Sequence, residues 1–170
     1  MAAALIGGTL LTIGSTAWPV AWMGLELNLL GFVPLAMIRT ENKKPAIYYF
    51  VVQSVGSLLL LFGGMSVGVA LSLCLFGLLL KMGLAPMHFW VPPVAGRLAR
   101  LSFGLLLTWQ KVAPLSLLIF ITLHLAPLIA INVLTGSLII LASTALQPLL
   151  VFRGLVQLGW VLALGGGTLI

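Results

Sequence analysis

Charge is what this sequence has least of. Only two of its 170 residues are acidic and eight are lysine or arginine, so charged residues make up 6% against 62% hydrophobic ones, with a mean hydropathy of +1.28. A water-soluble domain needs more polar surface than that, so soluble enzymes and soluble binding modules are excluded. Cysteine is nearly missing as well. The single Cys74 lies in the apolar run from Leu71 to Leu80, which rules out an internal disulfide framework or a multi-cysteine metal cluster. Two distant histidines and one membrane-embedded glutamate make no ligand set, so no metal is expected. The net charge of +6 carries no basic stripe and no interleaving of aromatic with basic residues, so nucleic acid is not expected as a partner. No positive n-region and no Arg-rich presequence precedes the first apolar stretch, so no cleavable targeting segment is expected. Period-two alternation is missing too, which argues against a membrane β-barrel.

Apolar runs are what is there. Crossing a hydrocarbon core of roughly 30 Å takes about 20 residues of helix. The runs predict spans near 1–16, 19–37, 47–63, 66–90, 101–123, 127–146 and 149–170. The expected fold is therefore all-α: a polytopic transmembrane bundle of about seven spans, forming one domain over residues 1–170. Uncharged turns at Trp18-Pro19, Gly63-Gly64-Met65 and His124 to Pro127 alternate with junctions that carry base. A zigzag puts Arg39, Lys43, Lys44, Arg97, Arg100 and Arg153 on one side, the positive-inside pattern. The N-terminus is expected on that side, the cytoplasm or mitochondrial matrix, with the C-terminus opposite.

Three charges do not fit the topology. Glu26 falls near the middle of the second span, Lys81 deep in the fourth and Lys111 near the middle of the fifth. A charge at the bilayer centre costs about 2.5 to 3.5 kcal/mol on insertion scales, and such residues normally face a bundle interior or wet cavity and pair with one another. A Glu-Lys pair whose separation changes is a proton switch: the lysine keeps its proton beside the carboxylate and can pass it on when the two part. Lys111 is the next station. The alternatives are a Lys81 or Lys111 that snorkels to the interface and a purely structural Glu26-Lys81 ion pair. His124 is a weaker relay candidate; like His88 it is placed near a membrane face, where an interfacial role competes. The five tryptophans fall mostly near span ends, as an aromatic belt would have them.

Prolines sharpen the pattern. Pro86 and Pro114 cannot donate to the carbonyls of Met82 and Gln110, which adjoin Lys81 and Lys111 in sequence. Freed carbonyls can hold water, so the stretch from Lys81 through Gly83 to Pro86 predicts an interrupted helix lining a cavity.

Three stretches carry a family resemblance: Trp22-Met23-Gly24-Leu25-Glu26-Leu27-Asn28 with Phe32 and Pro34; Leu80-Lys81-Met82-Gly83-Leu84-Ala85-Pro86-Met87-His88-Phe89-Trp90-Val91-Pro92; and Leu107-Thr108-Trp109-Gln110-Lys111-Val112-Ala113-Pro114. In order and spacing the chain resembles NADH dehydrogenase subunit 2, the antiporter-like membrane-arm family of mitochondrial respiratory complex I. The resemblance implies the N-terminal half of the antiporter-like fold, and it makes Glu26, Lys81 and Lys111 the family's intramembrane glutamate and lysines. It further implies a multi-pass chain of the mitochondrial inner membrane that moves protons, with lipids and other membrane-arm subunits as partners. No cofactor is expected in this chain, since NADH, FMN, iron-sulfur clusters and ubiquinone belong to other parts of the complex.

Departures from the family pattern are Pro93, where a glutamate is usual, Gln147-Pro148 in place of a basic pair, and Phe152-Arg153-Gly154 ahead of Gly159-Trp160. Family members also continue into a second helix group with a further lysine. A separate chain supplying that half is the favoured expectation, beside a sequence that continues further and a reduced subunit. Absent such a chain, a water file along Asn132, Thr135 and Ser137 is the expected exit from Lys111. The competing functional readings are a subunit of a multichain cation/proton antiporter and a structural bundle that does not pump.

Overall fold

The computed structural model describes residues 1–38, 42–65, 70–121 and 126–167, so Arg39 and His124 lie outside the described residues. Every regular element among the described residues is helical. In chain order these are α1 (Ala2–Gly14), α2 (Trp18–Met37), α3 (Lys44–Met65), α4 (Ala70–Met82), a 3-10 turn (His88–Trp90), α5 (Val91–Ala95), α6 (Arg100–Leu107), α7 (Trp109–Ile121), α8 (Ala126–Ala142) and α9 (Leu146–Gly167). Four stretches are long and apolar enough to cross a membrane: Trp18–Met37, Lys44–Met65, Arg100–Ile119 and Leu146–Leu164. The shorter apolar helices Ala2–Gly14, Leu71–Met82 and Pro127–Ala142 fall within three further expected spans.

The pairs α1/α2, α2/α3, α3/α4 and α8/α9 run antiparallel, and small residues let them approach. A Cβ on Gly8 would meet the Asn28 amide nitrogen at 2.6 Å, and one on Gly31 the Leu5 nitrogen at 2.9 Å, so α1 lies backbone to backbone on α2. One on Gly77 would meet the Gly56 carbonyl at 2.8 Å, joining α3 to α4 in the same way. Lipid tails are as apolar as leucine, so close packing of this kind substitutes for the hydrophobic drive between helices. Indoles add polar ties: Trp18 and Trp22 of α2 donate to the Leu60 and Ser57 carbonyls of α3, at 3.3 and 3.0 Å. Trp22 is thus an interior hydrogen-bond donor and not a belt residue.

Two helices are broken, each close to a lysine. α4 ends in a Schellman motif: the Gly83 amide donates to Leu80 O (3.2 Å), the Leu84 amide to Leu79 O (3.1 Å), and Gly83 sits at φ +67°. The expected interruption from Lys81 to Pro86 is present, but a left-handed glycine makes it before the proline is reached. The second break was not expected. Thr108 (φ −113°, ψ −76°) separates α6 from α7, its hydroxyl donating to Gly104 O at 2.8 Å in competition with the backbone.

Candidate functional site

Carbonyls at a helix end inside a membrane need partners. At the end of α4 they find side chains. Trp90 Nε1 donates to Leu80 O at 2.9 Å and Gln53 Nε2 to Lys81 O at 3.3 Å, while the Ala85 amide donates to Asn132 Oδ1 at 3.1 Å. The carbonyls of Leu80 and Lys81, just before the Met82 carbonyl to which Pro86 cannot donate, are thus taken by an indole and an amide. Trp90 is 2% exposed and is likewise no belt residue.

This fixed turn holds Lys81 against α3. Its stem runs past Gly56, where a Cβ would stand 3.1 Å from Lys81 Cγ, and the residue is 7% exposed. Lys81 Nζ lies 3.8 Å from Glu26 Oε1 on α2, and the carboxylate side chain remains 27% exposed. That separation is an ion pair without a hydrogen bond. Glu26 Oε1 accordingly has no hydrogen-bond partner among the described residues. The two charges stand on different helices, α2 and α4. The Lys81 side chain, 3% exposed, ends beside the carboxylate and not at the surface.

Lys111 lies two residues into α7, on the helix that packs against α4. It is 6% exposed, and its Nζ has no hydrogen-bond partner among the described residues. Gly154 of α9 lies beside it, where a Cβ would stand 4.0 Å from Nζ. Beside it Gln110 is held at both ends: Tyr49 Oη donates to its Oε1 at 3.1 Å, and its Nε2 donates to Asn28 Oδ1 at 3.0 Å. No sequence pattern marks this clamp, since its members come from α2, α3 and α7.

The other expected groups separate. His88 stands in the 3-10 turn, half-buried, with its ring edge-on to Phe152 at 5.9 Å. Along the expected file of Asn132, Thr135 and Ser137, each side chain donates to a carbonyl of the protein. Asn132 Nδ2 donates to Leu155 O at 2.7 Å, Thr135 to Ile131 O at 2.7 Å and Ser137 to Val133 O at 2.8 Å. Among the described residues no three His, Cys, Asp or Glu side chains converge as metal ligands.

Comparison with known proteins identifies the family. Residues 15–69, which contain Glu26 and the face of α3 that holds Lys81, fit the family described as NADH:quinone oxidoreductase/Mrp antiporter, TM. NADH-ubiquinone oxidoreductase chain 2 of Anopheles gambiae is 39% identical over 93% of this chain and 51% of its own length. The chain 2 proteins of Locusta migratoria and Hylobates lar are each 33% identical over 94% of this chain, covering 51% and 52% of theirs. The chain spans about half the length of the curated relatives it matches. A polytopic helical membrane protein related to these along nearly all its residues, it belongs to the NADH-ubiquinone oxidoreductase chain 2 family.

Proposed function

We propose that the chain is a membrane-arm component of a proton-translocating NADH-ubiquinone oxidoreductase of the mitochondrial inner membrane, and that it takes no part in the redox chemistry. It would form the N-terminal half of an antiporter-like domain, with other membrane-arm subunits and lipids around it. NADH, FMN, iron-sulfur clusters and ubiquinone would be handled elsewhere in the complex. The observation that carries this reading is the Glu26-Lys81 pair, 3.8 Å apart beside a helix interruption. When α2 brings Glu26 close, Lys81 holds a proton; when Glu26 withdraws, the ammonium loses its counter-charge and the proton moves toward Lys111. Lys111 Nζ, buried and unbonded among the described residues, is free to receive it. The matching family's description also names Mrp antiporters. The names of the full-length relatives favour the oxidoreductase.

The test is replacement of each lysine in the assembled complex. Lys81→Ala and Lys111→Ala each remove a buried charge whose insertion costs about 2.5 to 3.5 kcal/mol, so assembly should survive. Protons moved per NADH oxidised should fall severalfold in both. Parental pumping by either variant would return that lysine to a structural role. Copurification with chains of a cation antiporter, in place of flavin and iron-sulfur chains, would overturn the assignment to the oxidoreductase.

A further inference from the structure

The helical turn that bears Lys111 is weakened on both sides. The break at Thr108 removes the turn before it, and Lys111 N is bonded to Thr108 O at 3.2 Å, a three-residue reach. Pro114, inside α7, cannot donate to the Gln110 carbonyl one turn earlier. Yet the position of Nζ depends on this backbone, because no side chain among the described residues bonds to it.

What fixes the turn is the side chain of Gln110. Its amide is bracketed by Tyr49 on α3 and Asn28 on α2, both 2% exposed, and Tyr49 is itself wedged between Phe32 and Trp90 with ring centroids at 5.1 and 5.6 Å. One turn beyond Tyr49, Gln53 bonds the carbonyl of Lys81. Asn28 is two residues from Glu26 on α2. Thus α2, which carries Glu26, and α3, which bonds the Lys81 carbonyl, also grip the residue next to Lys111.

We propose that Gln110 is a positioning residue: its clamp between Tyr49 and Asn28 sets where Lys111 stands relative to Lys81, and ties that placement to the movement of α2 and α3. This rests on the proton-carrying reading of Lys111. When α2 shifts to part Glu26 from Lys81, Asn28 draws Gln110 with it, and the turn bearing Lys111 follows. Separation of the first pair and approach of the second station become one motion.

The experiment uses the assembled oxidoreductase in sealed vesicles, with Tyr49→Phe and Gln110→Leu measured alone and in a Lys111→Ala background. Phenylalanine keeps the ring packing and removes only the hydroxyl; leucine removes both amide bonds. A net hydrogen bond contributes enough that its loss changes an equilibrium about two- to tenfold. Protons moved per NADH should fall by that factor in each variant, with KM for quinone and the amount of assembled complex unchanged. Against Lys111→Ala neither change should lower pumping further. Parental proton ratios in both variants, while Lys111→Ala alone fails to pump, would overturn the clamp and leave the function standing. A further loss on top of Lys111→Ala would show that Gln110 acts by another route. If Lys111→Ala itself pumped normally, the functional reading would fall first.

Discussion

Asn132 commits both halves of its amide to different parts of the fold. Its oxygen accepts from Ala85 in the interruption, and its nitrogen donates to Leu155 on α9. Asn132→Leu keeps the volume but strands the Ala85 amide in an apolar surround, which should cost about 1 to 3 kcal/mol. It would be read as earlier loss of assembled complex on heating; a leucine variant as heat-resistant as the parent would mean that the amide finds another partner. At this scale the sequence was informative in one direction. Glu26, Lys81 and Lys111 stood out because a charge in an apolar run announces its own expense, whereas Gln53 and Gln110 did not, and Asn132 was marked only as a lining for water. Neutral amides cost little enough to be common, and their use depends on which helix comes to face them.

Breaks decide the elements. Gly83 adopts φ +67°, and a Cβ there would run into Val91 and stand 3.2 Å from the Trp90 ring. Gly83→Ala should therefore cost more than the roughly 1 to 2 kcal/mol of left-handed backbone alone. Gly104→Ala, where a Cβ would meet nothing within 4 Å, should be neutral or slightly stabilising. Thermal inactivation of the two complexes measures the contrast, and equal sensitivity would argue against a fixed turn at Gly83. Residues 81–86 were legible as a break because glycine and proline are strong punctuation. The break at Thr108 was not, since threonine is an ordinary helix residue whose hydroxyl competes with the backbone only in some surroundings. Trp22 and Trp90 were misread for a related reason: nearness to a span end in sequence says nothing of whether an indole turns inward to a carbonyl.

For the whole molecule, the zigzag and its charge asymmetry together predict an orientation. The antiparallel pairing of α1 with α2, α2 with α3, α3 with α4 and α8 with α9 is fixed by contacts such as Gly8 with Asn28, Trp22 with Ser57, Gly56 with Gly77 and Gly159 with Asn132. Lys43 and Lys44 at the start of α3, and Arg97 and Arg100 around the start of α6, then stand at the same end of the bundle. Arg153 is two turns inside α9 instead of at the expected junction, but it is exposed and close enough to that end to reach it by its long stem. Retaining lysine and arginine on the non-translocated side orients such a bundle, so this end should face the matrix. Single cysteines at exposed positions test the assignment without touching the buried residues. Lys43→Cys and Thr144→Cys should react with a membrane-impermeant maleimide only when the matrix side is open, and Thr16→Cys, in the turn between α1 and α2, only from the opposite side. Cys74 is buried and should stay silent. Reversed labelling at all three would invert the proton path through Glu26 and Lys81. Disagreement between Lys43 and Thr144 would mean that an odd number of crossings separates them, and that one of the short helices, α4 or α8, does not traverse the membrane.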